Sequence, residues 1–266
     1  MAHARQLWSG NTRQHGCERD RLFYPEPPRT ALAVGTCNEM RCLMDVLLIP
    51  GFMLDADLWR EVRPAVDRMG RVIDADTTRD DTIAAMAARA LDQLAGPALV
   101  IGFSMGGYIA REMLYQQPAK VSALVLVATS SRAKSGPSAS IDPARFRQLG
   151  RAAVARSLHP DHQTDALIDR VQAMSRRLGG AVYARQSELS RQGDTDQLGC
   201  IACPTLIVAA DQDALRSVAE SAALHRGINS STLAVIERSG HLIPLEQPRK
   251  FESVLTDWLS KLTASP

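Results

Sequence analysis

Apolar positions along this chain fall into two alternating patterns. Short unbroken runs at Asp45–Ile49, Arg71–Asp74, Ala98–Ile101, Val121–Val127, Pro204–Ala209 and Thr232–Ile236 have the length and content of buried strands. Between them lie stretches of helical period. Ile83, Met86, Ala87, Ala90 and Leu94 form one apolar stripe on a helix predicted over 82–94, with Asp81 or Thr82 as its cap. Helices are also expected over 58–69 (Asp57 as N-cap, Pro64 inside), 105–117 and 217–226, and from Pro248 onward with Phe251, Val254, Leu255, Trp258 and Leu262 on its buried face. Strands alternating with helices in this way predict an α/β fold: a doubly wound, mainly parallel sheet of about six strands.

The rhythm breaks after Thr129. Residues 130–199 contain no strong strand, and helical patterns run over 143–158, 164–178 and 181–192 after a Ser/Gly/Pro-rich stretch at 135–140. This segment reads as a helical cap inserted into the sheet. The expected organisation is a poorly ordered N-terminal extension at 1–43, an α/β core at 44–130 and 200–266, and the cap at 131–199. Residues 1–43 hold Arg5, Arg13, Arg19, Arg21, Arg29 and a Pro25–Pro28 cluster without sustained periodicity, apart from a possible short strand at 31–34. Met44 directly precedes the first strong strand and is an alternative start.

Composition narrows the classes. The 266 residues are 45% hydrophobic, enough for one sizeable core, and the net charge of +2 points away from nucleic-acid or anionic-membrane partners. No run approaches a membrane span, and the N-terminus lacks an apolar signal core. Five cysteines at irregular spacing do not form a disulfide framework, and a cytoplasmic location is expected. Cys200-Ile-Ala-Cys203 lacks the second pair a zinc ribbon needs, and the pair His159/His162 lacks partners, so neither a metal nor a cofactor is expected. The cap carries Arg145, Arg147, Arg151, Arg156, Arg170, Arg176, Arg177, Arg185 and Arg191. These could address an anionic substrate, but solvated helix faces balanced by Asp142, Asp161, Asp165, Asp169 and Glu188 are the preferred reading.

The chemistry-bearing stretch is Gly102-Phe-Ser-Met-Gly106, between a buried strand and a helix. A serine on so sharp a strand-to-helix turn needs glycine on either side, so that the two backbones can close around it. The Ser104 hydroxyl is then lifted off the sheet, and the Met105 N–H, at the helix start, faces an anion developing there. Asp213 and His241 each follow a later strand and so reach the same sheet edge. A serine hydroxyl needs a base to take its proton, and His241 suits that role. An acid must hold the imidazole, and Asp213 suits it, with Asp211 as the alternative acid and His225 as a weaker alternative histidine. Phe52, after the first strand, supplies a second N–H. Met53, Tyr108 and Leu242 are candidate apolar pocket residues. Asp74 and Asp76 read as loop or capping groups.

From about residue 45 onward the chain resembles the alpha/beta-hydrolase fold proteins, of the small cap-bearing ester-hydrolase type. The resemblance rests on Pro50-Gly51-Phe52, the Gly102–Gly106 elbow, Val208-Ala-Ala-Asp-Gln-Asp213 and Gly240-His-Leu-Ile-Pro-Leu-Glu-Gln-Pro248. It implies nucleophile Ser104, acid Asp213, base His241 and oxyanion donors Phe52 and Met105. It also implies hydrolysis of a small carboxylic ester or related acyl substrate through an acyl-enzyme. Lactonase or C–C hydrolase activity, acyl transfer, and non-catalytic ligand binding on the same scaffold are the alternatives. Three departures stand out: Pro50 replaces a usual histidine, Ala210 replaces a usual glycine, and the two strands that usually precede the first core strand are not evident. The sequence does not decide the oligomeric state.

Overall fold

A computed structural model describes residues 45–133 and 142–264. The expectations for residues 1–44, for the 134–141 stretch and for Cys17, Cys37 and Cys42 lie outside the described residues. Six strands form one sheet, β1 (Asp45–Ile49), β2 (Arg71–Asp74), β3 (Ala98–Phe103), β4 (Val121–Val127), β5 (Thr205–Ala210) and β6 (Ser231–Ile236), in the order β2-β1-β3-β4-β5-β6, with every neighbouring pair parallel. This is the doubly wound sheet expected from the sequence. The order reverses at β1, and the parallel register sends the C-terminal end of every strand to one edge.

Alternation along the strands divides the core into two layers. On one face Val46, Leu48, Leu99, Ile101 and Val125 pack with Trp59, Val66, Phe251, Leu255 and Trp258. On the other, Leu47, Ile49, Val100, Leu124 and Leu126 pack with Met86, Ala90, Ile109, Met113 and Leu224. These come from the 3₁₀ turn Ala56–Trp59 and helices α1 (Arg63–Asp67) and α8 (Pro248–Ala264) on the first face, and α2 (Ile83–Asp92), α3 (Met105–Gln116) and α6 (Val218–Gly227) on the second. Each fully buried large aliphatic or aromatic side chain contributes roughly 1.5–3 kcal/mol, so both layers are needed to hold the sheet.

Local chemistry explains where elements begin. Thr82 caps α2 by accepting the Ala85 N–H, and Ser217 and Glu220 form a reciprocal capping box on α6. Two expectations need correcting. The helix predicted over 58–69 is a 3₁₀ turn at Ala56–Trp59 capped by Asp55, not Asp57, followed by the short α1. Pro64 is the reason: without an N–H it suits a first turn, so a new helix starts there instead of an old one passing through. The first cap helix also differs, being only α4 (Arg151–Arg156). The second and third are as expected: the run α5 (Asp165–Glu188) breaks at Gly179, whose φ of 77° and ψ of 179° are not helical, into two helices, the latter ending at Glu188. A short α7 (Ile243–Glu246), masked in the sequence by Pro244, precedes α8. Among the described residues no helix is long and apolar enough to cross a membrane.

Candidate active site

Ser104 stands between β3 and α3 with φ 51° and ψ −108°, a left-handed conformation that costs a non-glycine residue energy. Its neighbours enforce the strain. A Cβ on Gly102 would lie 2.5 Å from the Gly106 carbonyl oxygen, and one on Gly106 would run into the Ile49 carbonyl. The turn is anchored to β4 by Ser104 N–H donating to Val127 O at 2.9 Å and by Thr129 Oγ1 donating to Ser104 O at 2.7 Å.

Three residues distant in sequence meet here. Ser104 Oγ lies 2.9 Å from His241 Nε2, and His241 Nδ1 lies 2.7 Å from Asp213 Oδ2. The Asp213 side chain is fully buried and its other oxygen, Oδ1, accepts the N–H groups of Leu215 (2.7 Å) and Arg216 (2.9 Å). The carboxylate is thereby fixed in one rotamer facing the imidazole. The His241 ring packs on Phe103, centroids 5.0 Å apart, and its backbone N–H donates to Ser157 O of the cap at 2.7 Å. Asp211 does not reach the histidine; its Oδ1 accepts the Ser239 N–H at 3.2 Å and ties the β5 and β6 loops together. His225 lies on α6 with Nδ1 2.8 Å from Ser231 Oγ.

Met105 opens α3, where N–H groups have no partner within the helix. Phe52 is half-buried, its ring edge-on to Tyr183 of the cap at 5.7 Å. Next to it, Met53 is fully buried at φ 55°, and its N–H donates to Gln186 Oε1 at 2.8 Å. Gln186 Nε2 donates in turn to Thr77 O at 3.0 Å. Sequence reasoning missed Gln186. The loop lacking the usual histidine at Pro50 is held by the cap, a contact that no local pattern announces.

Glu246 lies five residues after His241, in the short α7. Its buried carboxylate accepts the N–H groups of Gly240 (3.0 Å) and Leu242 (2.9 Å), the two residues flanking His241, and of His159 in the cap (2.7 Å). Leu242 packs into the core beside Ile243, and Tyr108 donates its hydroxyl to Arg132 O at 2.8 Å. Asp76 accepts from the Thr78 N–H and hydroxyl, the loop role expected of it, whereas Asp74 neither caps nor shapes a turn but pairs with Arg63. A cavity of about 180 Å³ beside Pro50 is lined by Leu54, Asp74, Asp76, Thr77 and Leu178. Three cap arginines bind core acids rather than cap acids: Arg170 reaches Asp57 and Glu61, Arg177 reaches Asp55 and Asp57, and Arg185 reaches Asp81. Cys200 and Cys203 lie in the turn leading to β5.

A hydroxyl, an imidazole and a buried carboxylate in hydrogen-bonded sequence at the C-terminal edge of a parallel sheet define the hydrolase class of this architecture. Residues 46–254 match the alpha/beta hydrolase family, and the chain belongs to it. It is 28% identical over 241 residues to a pimeloyl-[acyl-carrier protein] methyl ester esterase of Neisseria meningitidis, a match covering 80% of this chain and 92% of that one. Among solved structures it is similar to a thermophilic esterase from Thermogutta terrifontis, at 26% identity and TM-score 0.67, covering 83% of this chain and 90% of that one. It shares its fold with the enol-lactonase from Burkholderia xenovorans LB400, at 17% identity and TM-score 0.69, covering 82% and 92% of the two chains.

Proposed function

We propose that this protein is a serine hydrolase that cleaves a small carboxylic ester through an acyl-enzyme. The observation that carries the reading is the unbroken relay from Ser104 Oγ through His241 to buried Asp213, at 2.9 and 2.7 Å. The esterase named among its relatives supports the same bond type. In this reading 44–130 and 200–266 carry the chemistry, and 131–199 selects the substrate.

His241 Nε2 takes the Ser104 proton as Oγ attacks the ester carbonyl carbon. Asp213 holds Nδ1 protonated, so Nε2 is the free base, and it stabilises the imidazolium that forms. The carbonyl oxygen becomes an oxyanion that accepts hydrogen bonds from the Met105 and Phe52 N–H groups, a contribution of about 3–4 kcal/mol per donor in such sites. Collapse breaks the ester C–O bond, and His241 gives its proton to the departing alcohol. Water, deprotonated by His241, then attacks the acyl-enzyme and releases the acid and free Ser104.

The test is turnover of p-nitrophenyl esters from acetyl to decanoyl, and of simple lactones, by the wild type and Ser104→Ala. Loss of turnover and of fluorophosphonate labelling in the variant is expected. A folded wild type that turns over none of them and takes no fluorophosphonate would leave ligand binding as the better reading.

A further inference from the structure

Arg191 is an anomaly for a buried residue. It is 6% exposed, its Nε is buried without a hydrogen-bond partner, and its guanidinium carbon lies 5.9 Å from the centre of the Tyr108 ring. Arg216, the neighbouring cation, has a buried Nε that is also unpartnered. Among the described residues its polar contacts are loose, Nη1 donating to Leu215 O at 3.2 Å and lying 3.9 Å from Glu220 Oε1, while Glu220 is engaged by the Ser217 N–H at 2.9 Å. Of the two acids three residues from Arg191, Glu188 is exposed and Asp194 is spent elsewhere. It binds Arg111 through two bonds of 2.5 and 3.0 Å and accepts the Tyr115 hydroxyl at 3.0 Å.

A guanidinium stripped of water is costly unless an anion pairs with it, and a second cation alongside adds repulsion. Burial first, and then Arg216, hold the Arg191 guanidinium below its ordinary pKa. Attraction to the Tyr108 ring offsets only part of that cost. The Tyr108 ring already faces the Arg111 guanidinium at 4.8 Å, so it compensates Arg191 only weakly. Neighbouring guanidinium groups such as Arg191 and Arg216 match a ligand with two or three oxygens sharing a negative charge, because the planar fork pairs with carboxylate and phosphate.

The position relates this pair to the reactive serine. Tyr108 follows Ser104 by one turn of α3, about 6 Å along the axis, and Arg216 N–H is bonded to the Asp213 carboxylate. We propose that Arg191 and Arg216 form an anion-binding subsite beside Tyr108 that receives a carboxylate or phosphate at the far end of the substrate. The substrate clause rests on the serine-hydrolase reading above, which it deepens to esters bearing an anionic group.

Two measurements on the full-length chain separate the claims. In the first, thermal unfolding is followed at constant ionic strength with chloride, adipate or inorganic phosphate. A rise in Tm with adipate or phosphate over chloride is expected in the wild type, and its absence in Arg191→Met. Adipate alone raising Tm assigns a carboxylate, and phosphate alone assigns a phosphate-bearing substrate. Arg191→Met removes an unpaired charge, so its Tm in chloride should equal or exceed that of the wild type. A fall of several degrees there overturns the proposal. In the second, kcat/KM is compared for mono-p-nitrophenyl adipate and p-nitrophenyl hexanoate. The wild type should prefer the charged ester, and Arg191→Met and Arg216→Gln should each lower that preference about ten- to a hundredfold, the worth of a charged hydrogen bond. An anion effect on Tm with no change in ester preference overturns the substrate role, and no anion effect overturns the subsite itself. If the wild type hydrolyses neither ester yet shows the anion effect, the serine-hydrolase reading fails and the anion site stands.

Discussion

Gln186 accepts the Met53 N–H at 2.8 Å, a bond between the cap helix α5 and the loop after β1 that joins residues 133 positions apart. Met53 is held at φ 55°, a conformation that persists only where its surroundings require it. Removing the acceptor with Gln186→Leu leaves a buried N–H unpaired, a cost of about 1–3 kcal/mol. It also frees Phe52, the neighbouring oxyanion donor of the proposed mechanism. Urea unfolding should show that loss, and the rate of fluorophosphonate labelling should fall about tenfold or more. Labelling at the wild-type rate would show that the loop does not depend on the cap.

Glu246 is expected to govern the histidine loop. Its carboxylate holds the Gly240 and Leu242 N–H groups on both sides of His241, and the His159 N–H of the cap. Glu246→Ala strands three amides and should cost at least about 3 kcal/mol of stability. Glu246→Gln keeps an acceptor oxygen and should cost less. In both, kcat for a p-nitrophenyl ester should drop more than KM changes, because a displaced imidazole weakens proton transfer rather than binding.

The elbow glycines allow no side chain. In Gly106→Ala the new methyl meets the Ile49 carbonyl, and in Gly102→Ala it meets the Gly106 carbonyl. Both obstacles are backbone in the buried core, so strand and helix must separate. A loss of about 1–3 kcal/mol or more, read as a lowered Tm, should accompany loss of Ser104 labelling in either variant.

Arg111 is wholly buried and paired with Asp194, whose carboxylate also joins burial in pushing the Tyr115 phenol well above its ordinary range. Asp194→Asn leaves the Arg111 charge uncompensated and should destabilise by about 3–5 kcal/mol in urea. Arg111→Met with Asp194→Leu removes both charges and should recover most of that loss, since an apolar pair of similar volume carries no desolvation cost.

Acid sensitivity should follow from carboxylates held below their ordinary range. Arg89 hydrogen-bonded to Asp80, and Arg71 hydrogen-bonded to Asp45, lower both acids in the folded state. Their contribution is therefore present above the unfolded carboxylate pKa of about 4 and is lost as pH falls through the lower folded values. Unfolding free energy measured between pH 6 and pH 3 should decline, and less steeply in Asp80→Asn. An identical slope in the variant would remove Asp80 from the account.

Much of the architecture could be read from the chain because its causes are local. The β1 run Asp45–Ile49 and the β4 run Val121–Val127 match the structure residue for residue, since unbroken apolar stretches of that length suit little besides strands buried on both faces. The elbow was legible because Gly102 and Gly106 are demanded by a steric conflict within five residues. Asp213 and His241 were legible because parallel strands deliver their C-terminal ends to one edge. Boundaries were less so where two local signals competed, as at Pro64, where a 3₁₀ turn and the short α1 replace one helix; at Gly179 the break between two cap helices falls where the pattern puts it.

By itself, then, the sequence determined the period of most strands and helices, the parallel α/β class and which serine, acid and histidine share one sheet edge, because backbone sterics and burial act within a few residues. Only the tertiary structure decided which polar groups meet across the cap: Gln186 on Met53, Glu246 on both flanks of His241, and Asp194 on Arg111 rather than on Arg191. Those pairings depend on how finished helices and loops pack. Period and spacing along the chain carry no record of which side chain will face which once water has been excluded.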